Sequence, residues 1–421
     1  MKAILNRICC FRILRKKLSK SRWLVCWGCG ENYMKNFENK GIIGVCLELK
    51  NNNYGSMLQS YATQVVLTEY GVKFELISYK KDYTPLFVIK SLPRFFNKYV
   101  LQDKLNEIKK KQFIKDHPEV KESVTKREAA FDSFREKYFC APIVTYLGYH
   151  ELKTKSEKYS AFISGSDQLW SPSGLPSNFY NLKFTYDEAT RISYASSFGV
   201  KKIPWYQRSR TKDYLNRMTY ISCREQSGKE IVKQLIGKNV PVVCDPTMLL
   251  TSKQWDALIG NKITTEGKYI FSYMLGGNRE HRKQVEKLSE ITGLPIVSIH
   301  QFLEADLNFG DIEIQDAGPV EFVNLIKNAE YVCTDSFHGS VFSIIYHKKF
   351  IIFNRYDETS STSKNTRIDS LCFTLGLTNR RFSGSIFENI NEPIDYMTID
   401  LMLESFRNES RRYLEEALDS I

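Results

Sequence analysis

Gly41-Ile42-Ile43-Gly44-Val45-Cys46-Leu47-Glu48-Leu49 opens the stretch that decides the fold, and Asn51-Asn52-Asn53, Tyr54 to Tyr70, Gly71 and Lys73-Phe74-Glu75-Leu76-Ile77-Ser78-Tyr79 complete it. The first run is apolar enough to be a strand buried in a sheet. The three asparagines read as a turn. Tyr54–Tyr70 has the length of a helix, and Gly71 stops it. A second strand follows at once. Strand, helix and strand in this order make a β-α-β unit, which implies a parallel sheet with a right-handed crossover.

The alternation continues outward from there. Residues 86–140 are charged and helical in pattern, as in Leu105-Asn106-Glu107-Ile108-Lys109, and read as a helical insertion in the first domain. Strands return at Ala161–Ser164, Arg191–Ala195, Tyr220–Ser222 and Pro241–Cys244, with a helix at Lys229–Leu235. Asp245-Pro246-Thr247 breaks the pattern and reads as the passage between domains. Further strands are expected at Lys268–Tyr273, Pro295–Ile299, Tyr331–Thr334 and Phe350–Phe353. Helices are expected at Lys253–Leu258, Glu280–Ile291, Val320–Lys327, Gly339–His347 and Thr366–Leu375. The expected organisation is α/β throughout: a leader over 1–40, a first domain over 41–245 carrying the insertion at about 86–140, and a second over 246–396. A C-terminal helix in 397–421 is free to pack back on the first domain. Ligands of such sheets sit beyond the carboxyl ends of the strands, and the cleft between the domains is the default site.

Composition narrows the class. The 421 residues are 42% hydrophobic and 26% charged, as in soluble globular proteins, which argues against a disordered or fibrous chain. No stretch approaches the length of a membrane-spanning helix. The net charge is +12, but residues 1–40 hold ten Lys/Arg against two acidic residues, a net +8. A nucleic-acid partner is not expected, because the basic excess is on the leader and not on the folded domains. Ile4, Ile8, Phe11, Leu14 and Leu18 share one helical face with cations beside it, so residues 1–22 are a candidate for contact with an anionic membrane surface. Ten scattered cysteines suit a reducing compartment. Cys26-Trp27-Gly28-Cys29 stands without a second ligand pair, and no metal is expected. The expected location is cytoplasmic, peripheral at the inner face of the membrane if the leader docks there.

Chemistry gathers at strand ends. In Cys333-Thr334-Asp335-Ser336-Phe337-His338-Gly339-Ser340 a strand gives way to a helix, placing His338 where free N–H groups favour an anion, with Gly339 leaving the backbone open to a ligand. His338 suits general acid work. Ser164-Gly165-Ser166-Asp167-Gln168-Leu169-Trp170 offers Asp167 as a base or a holder of a sugar hydroxyl and Trp170 as a stacking face; the alternative is an N-cap role for Asp167. Arg224, in Ser222-Cys223-Arg224-Glu225, suits a carboxylate or phosphate, or a surface pair with Glu225. Asn53 and Gly55 occupy the first β-to-α turn, and Arg355, Lys364 and Arg367 form a basic stretch that could close over an anion.

Taken together, Asn53-Tyr54-Gly55-Ser56-Met57-Leu58-Gln59, Ser164–Trp170, Ser222–Glu225, Asp245-Pro246-Thr247 and Thr334–Gly339 fall in the order seen in the polysaccharide pyruvyl transferase family, which the chain resembles over roughly 41–385. The resemblance implies two Rossmann-like domains facing across a cleft, as in the glycosyltransferase-B fold. It implies transfer of a pyruvyl group from phosphoenolpyruvate onto two hydroxyls of a sugar, giving a cyclic ketal, in building a cell-surface glycan such as capsule or exopolysaccharide. Phosphoenolpyruvate is then the donor, with no cofactor, and the acceptor is a sugar or lipid-linked oligosaccharide. His338 matches the family's active-site His and Arg224 an Arg that holds the donor. Many members carry Arg two residues before that His; here Ser336 stands there, and Arg355 or Arg367 is the candidate substitute. The residues leave open a nucleotide-sugar glycosyltransferase of the same fold and a catalytically silent glycan-binding protein.

Overall fold

The computed structural model of the chain describes residues 37, 40–81, 98–260, 264–356 and 365–421. The basic leader with its Cys26–Cys29 motif, residues 86–97 of the expected insertion and Lys364 lie outside the described residues.

The first half runs β1 (Ile42–Cys46), α1 (Tyr54–Glu69), β2 (Lys73–Lys80), α2 (Lys98–Asp116), α3 (Lys121–Tyr138), β3 (Ile143–Leu147), α4 (Gly148–Thr154), β4 (Ala161–Ser164), β5 (Thr190–Ser196), α5 (Arg208–Asn216), β6 (Tyr220–Cys223) and α6 (Gln226–Ile236). Its six strands stand in the order β3-β2-β1-β4-β5-β6, every pair parallel. After α7 (Pro246–Leu249) and α8 (Ser252–Ile259), the second half runs β7 (Ile270–Tyr273), α9 (Arg279–Thr292), β8 (Ile296–Ile299), β9 (Ile312–Ile314), α10 (Pro319–Asn328), β10 (Tyr331–Thr334), α11 (Phe337–Ile345), β11 (Lys349–Ile352), α12 (Thr366–Thr374), α13 (Ile386–Asn391) and α14 (Tyr396–Asp419). Its sheet, β11-β10-β7-β8-β9, repeats the same winding with one strand fewer. Each sheet reverses direction between its first and fourth strands, the point where doubly wound sheets take ligands.

Three differences from the sequence reading stand out. β9 is only three residues with Glu313 at its centre, and β3, though apolar in sequence, follows directly on the charged helical stretch and is mostly exposed at the edge of its sheet. Conversely Pro241–Cys244 is apolar enough for a strand but pairs only through a single bridge, Cys223 to Val242. Its side chains serve the core instead: Val243 and Cys244 are buried.

The halves share one apolar cluster, which joins Ile43, Val45 and Met57 to Trp255, Phe271, Phe322 and Phe342. Tyr54 at the start of α1 stacks on Phe322 at 4.8 Å and 11°, and its hydroxyl donates to the Ala317 carbonyl at 2.8 Å. α14 reaches back to the first sheet. The Tyr413 hydroxyl donates to the Ser193 carbonyl (2.8 Å), and the Ser410 hydroxyl oxygen accepts from the Cys244 amide (2.9 Å). The six cysteines among the described residues are free thiols, five of them buried. No helix among the described residues is long and apolar enough to cross a membrane.

Candidate active site

The carboxyl ends of β1, β4, β6 and β10 converge on one buried group of charges. β10 ends at Thr334, and α11 starts three residues later with Ser336 as its N-cap, the serine oxygen accepting from the Gly339 amide at 3.3 Å. That turn puts His338 in the first helical turn, facing the first half of the chain. Its Nε2 lies 3.6 Å from Asp245 Oδ2. On the other side of the ring, a Cβ on Gly55 would come within 1.9 Å of Nδ1, so only glycine at the start of α1 leaves room for the imidazole.

Asp245 is the hub. It caps α7, accepting from the Thr247 amide (3.0 Å) and hydroxyl (2.7 Å) on Oδ1. Its Oδ2 accepts from Ser166 Oγ at 2.8 Å and Arg224 Nη1 at 2.7 Å. Burial alone would raise the carboxyl pKa, but His338, Arg224 and the Thr247 hydrogen bond hold it well below the usual range. Asp167 is held down in the same way: burial opposes ionisation, while Arg224, His338 and the Ser56 hydroxyl favour it. Ser56 Oγ donates to Asp167 Oδ2 at 2.6 Å, and Arg224 Nη2 lies 3.7 Å from Oδ1. Asp167 has φ 75°, a left-handed conformation that aspartate tolerates better than most residues and that directs its carboxylate into the site.

Several guanidinium donors of the site are left without a hydrogen-bond partner among the described residues. Arg224 is buried, yet its Nε and Nη2 donate to nothing among the described residues. Its guanidinium lies 4.6 Å from the Phe337 ring centre, and that of Arg367 5.9 Å from the same ring. With the Gln168 amide turned so that its oxygen faces α12, that oxygen accepts from Arg367 Nη2 (2.7 Å) and Nε (3.1 Å), linking the two halves. Burial, and secondarily the neighbouring Arg224, push the Arg367 pKa down to about 10. Arg355 is tied to Asp335 at the lip of the second half, donating from Nη2 to the Asp335 carbonyl (3.1 Å), and its own Nε is buried without a partner. Asp335 in turn accepts from the Leu275 and Gly276 amides at 2.7 and 2.8 Å, so it fixes a loop and does not touch His338.

His338, Asp167, Arg224, Arg367 and Gly55 therefore meet, with Arg355 beside them. Four expected residues have other work. Trp170 is no stacking face: it is buried against Phe198 and Tyr214, its Nε1 donating to the Tyr180 carbonyl. Asn53 does not face a ligand but caps α1, accepting from the Ser56 amide at 3.1 Å. Ser336 has its oxygen engaged as the cap of α11. Gly339 opens no path to a ligand, because the space a Cβ would need is filled by Thr334 Oγ1 at 2.5 Å. Glu225 turns away from Arg224 and accepts from Ser197 Oγ and the Phe198 and Gly199 amides. Asp245 is the residue the sequence reading missed as a site member. Its signal was an acid directly after the apolar run Val242-Val243-Cys244, as Asp167 stands shortly after the apolar run of β4.

The family profile described as polysaccharide pyruvyl transferase matches residues 53–357, which contain every residue of this cluster except Arg367. The chain belongs to that family. It is accordingly a transferase. No curated protein matches the sequence. Among solved structures the chain is similar to a UDP-N-acetylglucosamine 2-epimerase at 12% identity and a TM-score of 0.52, covering 91% of this chain and 96% of that one. The Neisseria meningitidis UDP-GlcNAc 2-epimerase bound to UDP-GlcNAc gives 10% identity, a TM-score of 0.45, and 90% and 100% coverage. The Methanocaldococcus jannaschii UDP-GlcNAc 2-epimerase in complex with UDP-GlcNAc and UDP gives 13%, 0.41, and 80% and 93%. At 12% identity the likeness to the first of these concerns the fold alone: with its two parallel sheets, this pyruvyl transferase family member has the glycosyltransferase-B-like architecture of two α/β lobes.

Proposed function

We propose that the protein transfers a pyruvyl group from phosphoenolpyruvate onto two hydroxyls of one sugar of a polysaccharide or its lipid-linked precursor, forming a cyclic ketal. The observation that carries this reading is the pairing of unpartnered guanidinium donors on Arg224 with an imidazole, His338, against a buried carboxylate, Asp245. Phosphoenolpyruvate brings a carboxylate and a phosphate. Arg224, Arg367 and Arg355 are cations for both, and Arg367 supplies the charge that Ser336 cannot.

In the proposed reaction His338 protonates the methylene carbon of the donor, and the charge developing at C2 is met by a sugar hydroxyl. The second hydroxyl attacks the same carbon as its bond to the phosphate oxygen breaks. Two C–O bonds form and one breaks. One hydroxyl proton ends, through His338, on the new methyl group, and the other leaves with phosphate. Asp245 Oδ2, 3.6 Å from Nε2, faces the imidazole that must give the proton. Asp167 stays ionised, which suits it to accept a hydrogen bond from a sugar hydroxyl better than to act as a strong base. Supply of the donor sets the reaction in the cytoplasm.

The test is product analysis. Purified protein incubated with phosphoenolpyruvate and a panel of glycan acceptors should release phosphate and give a product whose mass gain and methyl resonance are those of a pyruvyl ketal. Transfer of a glycosyl residue from a nucleotide sugar, with no phosphate released from phosphoenolpyruvate, would replace the reading by that of a glycosyltransferase.

A further inference from the structure

The loop beyond the carboxyl end of β5 presents an aromatic pair to solvent. Trp205 is 84% exposed and Tyr206 39%, their rings 5.8 Å apart at 89°. The loop is anchored: Val200 and Ile203 are buried, and Gln207 Nε2 donates to the Pro172 carbonyl at 3.1 Å. Around the pair, Gly199 to Lys212 holds five cations (Lys201, Lys202, Arg208, Arg210 and Lys212) and no acid. All five are exposed, and none is in an ion pair among the described residues. Large aromatics held out in water mark a contact surface. Trp and Tyr favour the boundary between headgroups and acyl chains, and clustered Lys/Arg favour anionic headgroups.

We propose that this loop docks on an anionic lipid bilayer. The cations decide against the other uses of an exposed indole, because a neutral sugar stacked on Trp205 or a second copy of this basic chain gains nothing from them. A second exposed strip has the same chemistry. On α2, Leu101, Leu105 and Ile108 are 44%, 54% and 60% exposed at helical spacing, with Lys104 and Lys109 flanking them and Lys111 paired to Glu107. The opposite face of that helix is already satisfied, its Phe113 packing with Phe302 and lying 5.6 Å from His300. The loop is also close to the candidate site: it begins at Ser197, whose amide donates to the Asp167 carbonyl. Docking there brings a lipid-borne molecule to the site. The proposal does not depend on the identity of the donor.

The test uses the full chain and its Trp205→Phe variant with neutral vesicles, anionic vesicles and anionic vesicles of brominated lipid. The difference between the two emission spectra isolates Trp205 from the other four tryptophans. With anionic vesicles that component should shift to the blue and be quenched by bromine, and Trp205→Phe/Tyr206→Ser should weaken flotation with those vesicles by about tenfold or more. Protein that fails to float, or that floats while the Trp205 component stays red and unquenched, overturns the proposal; so does a component that responds to soluble glycan or to protein concentration instead of lipid. No turnover is needed, so failure here leaves the pyruvyl reading untouched.

Discussion

His338 and Gly55 meet from opposite halves of the chain, and a methyl on residue 55 would lie 1.9 Å from the imidazole Nδ1. Gly55→Ala must therefore move the ring that is proposed to hold the proton. Turnover is expected to fall by roughly 10²-fold, the cost of a misplacement near 1 Å, while calorimetric affinity for phosphoenolpyruvate changes little because the arginines stay in place. An alanine variant with near-normal turnover would remove Gly55 from the positioning role. His338→Ala goes further and should cost about 10²–10⁴-fold in rate with the circular dichroism spectrum unchanged. At this scale the sequence was legible where a residue's chemistry has few structural uses, as with His338 and Arg224. It misled where one residue type serves two purposes. Trp170 and Asn53 stand near strand ends as ligands would, but core packing and helix capping claimed them.

At the scale of the element, α11 and the turn before it are the device that aims the imidazole. Ser336 is the cap of that device, so Ser336→Ala should lower stability by about 0.5–2 kcal/mol in denaturant melts. Strand ends also set the response to acid. Asp245 and Asp167 have folded pKa values below the ordinary ~3.9 of an unfolded chain. The stability they confer is complete above that value and is lost as pH falls through and beneath it. Thermal melts across the acid range should show the loss. Asp245→Asn should flatten it and lower stability at neutral pH by about 3–5 kcal/mol, since Arg224 would be left buried without its partner. An unchanged acid slope in that variant would mean that other carboxylates carry it. Most strands were readable from their apolar runs, the edge strands β6 and β11 among them; β9 was not, because its three residues carry Glu313 at the centre, and β3 was not, because it follows directly on a charged helical stretch.

Across the whole molecule, the site exists only while the halves are joined. Gly55, Asp167 and Arg224 come from the first; His338, Arg355 and Arg367 come from the second. Tyr54 holds them together through its stack on Phe322 and its bond to Ala317. Tyr54→Ala should cost about 3–5 kcal/mol of stability and weaken donor binding in parallel, which melts and calorimetry on one preparation would show. Nothing in the apolar periodicity of the chain announces this joint, because a residue buried between two halves reads like one buried within either. In the proposed reaction the joined site accepts phosphoenolpyruvate through Arg224 and His338. The measurement closest to it is a thermal-shift titration with phosphoenolpyruvate, inorganic phosphate, UDP, GDP and CMP on the wild-type protein and on Arg224→Ala and His338→Ala. Phosphoenolpyruvate at about 100 times its Kd should stabilise the wild type by about 2.7 kcal/mol, and the shift should vanish in Arg224→Ala and shrink in His338→Ala. A shift with a nucleotide and none with phosphoenolpyruvate would contradict the claim.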